Sequence, residues 1–124
     1  MAKWRTVAPE EKQKLAERLR AALTGRRHVT EKRMFGGTCF LLRDHMLCGT
    51  GSGNFLFRVG KDAHAAAIKR RGAKAMVHGG RRMEGFIWVD PAVCDARSIK
   101  AWMSLAAAYV GKLPPRKTRS SRTG

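Results

Sequence analysis

Three kinds of side chain here could do covalent or metal chemistry: three cysteines, four histidines and nine carboxylates. A nucleophilic cysteine needs a partnered base and a lowered pKa. Cys39 and Cys48 instead fall in apolar stretches, where a thiol is expected to act as a small buried hydrophobe. His28, His45, His64 and His78 form no zinc-ligand spacing with one another or with Cys39, Cys48 and Cys94. Glu10, Glu11 and Glu17 fall on one helical segment, and Glu31, Asp44, Asp62, Glu84, Asp90 and Asp95 at turns, caps or strand ends. No pair of them has the placement that acid/base catalysis needs. The expectation is therefore a chain with no catalytic residues, no metal and no cofactor, and not an enzyme.

Two glycine-bearing segments remain as candidates. Gly49-Thr50-Gly51-Ser52-Gly53 has the composition of a phosphate cradle. Such loops lead from a strand into a helix, so that the helix N-terminus faces the anion. Here a strand pattern follows, and a mobile hairpin loop is expected instead. Arg33-Met34-Phe35-Gly36-Gly37 is the candidate interaction surface. Its glycines would let a partner backbone approach and Arg33 would pair with phosphate or carboxylate. The competing reading, which is favoured, is a bulge that bends one long strand with Met34 and Phe35 packed inward.

The charge balance points to polyanions. Lysine and arginine number 26 against nine acids, a formal net charge of +17. Such a field draws in phosphate-rich partners, DNA or RNA above all. The candidate nucleic-acid contacts are Arg26 and Arg27 after the first helix, Arg70, Arg71, Arg81 and Arg82 around the second helix and last hairpin, and Arg116, Lys117, Arg119 and Arg122 in the tail. The positives are spread along the whole chain, which equally fits a general solubility charge. Trp4 is the one aromatic expected to be exposed, which disfavours single-strand binding by base stacking. No helix-turn-helix or zinc-finger pattern appears.

These residues must be carried by one domain, since 124 residues leave little room for two. Residues 1–8 read as an arm, 9–115 as the domain and 116–124 as a basic disordered tail. Pro9, Glu10 and Glu11 open a helix whose apolar positions are Leu15, Leu19, Ala22 and Leu23. Residues 29–42 read as one strand interrupted at Gly36-Gly37. Residues 45–48 and 55–59 read as two more, with a turn over 49–54. Asp62 is expected to cap a short alanine-rich helix. Strands over 74–78 and 83–89 follow, and then Asp95 caps a last helix with the stripe Ile99, Trp102, Met103, Ala106, Val110 and Leu113. Trp88 and Trp102 are the expected core anchors. The reading is an α+β fold, α-β(3)-α-β(2)-α, with helices packed on one side of a mainly antiparallel sheet. The odd cysteine count and the absence of a signal-like or membrane-length apolar run place it in the cytoplasm, away from membranes.

Several pieces together resemble a known family. They are Val29-Thr30-Glu31-Lys32-Arg33-Met34-Phe35-Gly36-Gly37, Met46-Leu47-Cys48-Gly49, Arg58-Val59-Gly60, and Met83-x-Gly85-Phe86-x-x-Val89-Asp90-Pro91, followed by Trp102 and Leu113-Pro114-Pro115. In that order the chain resembles the TfoX/Sxy N-terminal domain over about residues 8–115. The resemblance implies the same α-β(3)-α-β(2)-α fold, no catalytic residues and no cofactor. The family takes its name from bacterial competence regulators with a second, helical domain, and this chain is similar to the stand-alone members. A regulatory or adaptor role through an unknown protein partner, or a homodimer formed at a sheet edge, is the leading expectation. Non-specific nucleic-acid binding is the alternative.

Overall fold

The computed structural model describes residues 9–34, 37–51 and 53–114. Helix α1 (Pro9–Ala22) is followed by four strands, β1 (Val29–Met34), β2 (Gly37–Leu42), β3 (His45–Gly51) and β4 (Asn54–Arg58). Helix α2 (Lys61–Ala67), strands β5 (Ala73–His78) and β6 (Arg81–Val89), a 3₁₀ turn (Pro91–Val93) and helix α3 (Ala96–Val110) complete the order. The six strands form one antiparallel sheet in the order β1-β2-β3-β4-β6-β5. The α+β class and the antiparallel sheet are as the sequence predicts. The strand count before α2 is not: it is four instead of three.

The extra strand comes from Gly36-Gly37. Met34 pairs directly with Gly37, so the chain reverses there and residues 29–42 form a hairpin, not one bent strand. A Cβ on Gly37 would sit 2.0 Å from the Thr50 carbonyl oxygen, so only glycine fits where β2 meets β3. Thr38 N–H donates to Thr50 Oγ1 at 3.1 Å and fastens the same crossing. The expected loop over 49–54 is also shorter. Gly49 pairs with Cys39 and Leu56 inside the sheet, and β3 runs on to Gly51. These glycines serve close backbone packing.

The helices cover one face. Leu19 of α1 and Leu23 just after it, Ala67 of α2 and Ile99, Trp102, Met103, Ala106 and Val110 of α3 close over Phe40, Leu47, Cys48, Phe55, Phe57, Ile87 and Val89 of the sheet. Phe57 stacks on Trp102 with ring centroids 5.6 Å apart and is fully buried. Trp88, expected in the core, is only half-buried. It pairs with Leu56 in the register, on the face opposite Phe57 and Ile87. Asp95 caps α3 as expected, its carboxylate accepting from Ser98 N–H at 2.9 Å. Asp62 does not cap α2: Gly60 holds that position at φ 88° and Asp62 falls in the first turn.

Candidate functional site

The candidate residues fall at separate places. Arg33 is exposed at the end of edge strand β1, and Gly37 sits against Thr50. Phe35 and Gly36 lie outside the described residues, as do the arm 1–8 and the tail residues Arg116, Lys117, Arg119 and Arg122. Arg70-Arg71 and Arg81-Arg82 flank opposite ends of β5, separated by roughly 20 Å of strand. Arg81 and Arg82 are strand residues, paired with His78 and Val77.

Several basic side chains serve the fold itself. Arg18 reaches from α1 to the carbonyls of Pro91 and Cys94 and lies over the Phe55 ring. Arg20 forms a two-point ion pair with Glu31, Nε to Oε2 at 2.6 Å and Nη2 to Oε1 at 2.9 Å. The hydrogen bond from Arg20 holds the Glu31 carboxyl below its ordinary range. Arg70 lies 5.2 Å over the Trp102 ring, at a small cleft that it shares with Arg71, Asp95 and Ser98. Arg58 lies 5.6 Å from both the Phe86 and Tyr109 rings.

Arg58 also lines a cleft of about 270 Å³ with Gly60, Lys61, Asp62, Glu84, Gly85, Phe86 and Tyr109. Next to it is His64, the buried charged-type side chain of α2. A bulge over residues 84–86 turns the Gly85 N–H onto His64 Nδ1 at 2.9 Å, so the ring carries its hydrogen on Nε2. That Nε2 is buried without a hydrogen-bond partner among the described residues. The cleft mixes both signs of charge, and among the described residues no cysteine or serine lines it.

A larger concavity is lined by a different set of residues. Arg26, Arg27 and His28, from the loop between α1 and β1, meet Arg43, from the turn between β2 and β3. Arg43 N–H donates to the His28 carbonyl at 2.9 Å and locks the two loops together. With Gly25, Leu42, Ala107 and Gly111 these residues line an open groove of about 610 Å³. The Arg26-Arg27 pair is visible in the sequence. Arg43 is not, because its neighbours are sixteen or so positions away and only the β2–β3 turn brings it back.

The thiols are held out of reaction. Cys39, Cys48 and Cys94 are unpaired and buried, and burial raises the pKa of each, most strongly for Cys48. Cys48 Sγ lies 3.8 Å from Met103 Sδ inside the core. Among the described residues no group of three His, Cys, Asp or Glu is placed to hold a metal ion, and no helix is long and apolar enough to cross a membrane.

An open antiparallel sheet with helices on one face, buried thiols and an excess of basic side chains defines a small α+β domain. The family model for the TfoX N-terminal domain matches residues 21–109, and the chain belongs to that family. No curated protein and no solved structure matches it significantly.

Proposed function

We propose that this TfoX N-terminal domain is a non-enzymatic regulatory or adaptor domain that acts by binding protein, through the free edge of its sheet at β5. The observation that carries this is the contrast between the two edges. Strand β1 exposes Thr30, Glu31, Lys32 and Arg33, the charged dressing that discourages strand addition. Strand β5 carries one lysine, Lys74, and exposes Val77 at 61%, a large apolar side chain in water on an open edge. An extended segment of a partner, or β5 of a second copy, would add to such an edge by main-chain hydrogen bonds. Two of the nine carboxylates are taken by a cap, Asp95, and an ion pair, Glu31. Three unpaired buried thiols suit a reducing compartment, so the reading places the domain in the cytoplasm.

Light scattering over a concentration series, beside a cross-linked pull-down, tests this with the wild-type chain and Val77→Lys. A dimer or a captured protein that is lost in the variant is the expected result. A monomer at every concentration, with no capture sensitive to Val77→Lys, would overturn the reading.

A further inference from the structure

We propose that the groove formed by Arg26, Arg27, His28 and Arg43 is a docking site for the phosphate backbone of duplex nucleic acid, a second contact beyond the protein-binding edge.

The first support is the charge of the groove. Among the described residues three arginines and a histidine line it and no carboxylate does; Asp44 follows Arg43 in the turn but is not part of the lining. Arg26, Arg27, His28 and Arg43 are exposed, and the lining between them includes Leu42, Ala107 and Gly111, small or apolar groups. Arginines at a concave lip suit two-point pairing with phosphate oxygens.

The second support is backbone strain. Among the described residues, three without glycine's freedom have positive φ: His28 at 66°, Arg43 at 51° and Asp44 at 70°. Two of them line this groove and the third adjoins it. Arg43-Asp44 is a two-residue hairpin turn with φ positive at both positions, the geometry that favours Asn-Gly or Gly-Gly. The same chain makes the same kind of turn between β5 and β6 with Gly79-Gly80, at φ 60° and 76°. Arginine at position 43 is thus a strained choice where a cheaper one exists. What arginine adds there is a cation beside Arg26 and Arg27. Strain kept at one surface, together with clustered charge, points to use of that surface.

The partner follows from the same facts. A membrane surface would call for exposed apolar side chains to insert, and among the described residues the large exposed one, Val77, is on β5 and not in the lining of the groove. A regular array of phosphates matches a fixed cluster of cations and asks for no stacking aromatics.

The test uses the full chain, a labelled mixed-sequence DNA duplex, and anionic vesicles of phosphatidylserine and phosphatidylcholine. Arg43→Asn is expected to raise the melting temperature by a few degrees, because it relieves the turn. It is also expected to weaken duplex binding about five-fold and to make the salt dependence shallower by about one phosphate contact. The Arg26→Ala/Arg27→Ala pair is expected to lose more. Lys100→Ala removes the same charge from the exposed face of α3 and is expected to change affinity by less than about two-fold. Equal losses in Arg43→Asn and Lys100→Ala would mean general charge only and would sink the proposal. So would a lower melting temperature in Arg43→Asn with unchanged affinity, absence of duplex binding at low salt, or preference for the vesicles.

Discussion

Phe57 shows how one residue fixes both a helix and a strand. It is fully buried on β4, lies 6.2 Å from Phe55 in an edge-on arrangement, and stacks flat on Trp102 of α3. Phe57→Ala is expected to cost about 3–5 kcal/mol in chemical denaturation, the usual range for emptying such a site. The Arg20–Glu31 pair contributes far less, since both side chains are nearly half exposed and solvent screens them. Its pH dependence has a definite sign. The Glu31 carboxyl has a lower pKa folded than unfolded, so its stabilisation is present above the ordinary carboxylate range and fades as pH falls through the folded value. Glu31→Gln should therefore destabilise at neutral pH by less than about 1 kcal/mol and match the wild type in acid, as read by urea melts at both pH values. The buried thiols should react slowly with a thiol-specific chromogen until denaturant is added. A fast reaction in the native protein would contradict their burial. At this scale the sequence was informative about types and silent about partners. Apolar flanks were enough to read Cys39 and Cys48 as core residues. That Arg18 would be drawn to the carbonyls of Pro91 and Cys94, more than seventy positions away, has no local signature.

Among the elements, strand periodicity and the cap of α3 were legible because they depend on near neighbours: Asp95 caps α3, and Ile99, Trp102, Met103, Ala106 and Val110 of its stripe are buried as the spacing predicts, while Leu113 lies beyond the helix and is half-buried. The hairpin of β1 and β2 was misread because a glycine pair within β-forming sequence suits a bulge as well as a reversal, and the choice rests on the contact between Gly37 and Thr50 of a third strand. Gly37→Ala tests that contact. A methyl group there would collide with rigid backbone, so a loss of about 2 kcal/mol or more is expected, near the upper end for overpacking. The same substitution at Gly79, where a Cβ meets nothing within 4 Å, should cost only the strain of its positive φ. Comparison of the two variants by thermal melting separates crowding from backbone conformation.

The whole molecule carries +17 on 124 residues, and like charges at this density oppose compaction. Moderate sodium chloride is expected to raise the melting temperature, because the screening length falls below the spacing of most surface charges. Calorimetry at low and high salt reads this directly, and a melting temperature that falls with salt would show that ion pairs outweigh repulsion. The distribution of that charge was only half legible. The sequence shows clusters such as Arg26-Arg27, but the folding of β2 into β3 decides that Arg43 joins them, while β5 keeps Arg70-Arg71 apart from Arg81-Arg82.

The sheet order has a kinetic consequence. Strands β1 to β4 pair with one another in sequence order, and β5 pairs with β6, so among the described strands β4 against β6 is the one seam between elements not adjacent in sequence order. Two units, each able to zip locally, are joined where Leu56 meets Trp88 and Phe57 meets Ile87. Amide hydrogens along that line should exchange with deuterium last, because opening them means separating the halves of the molecule.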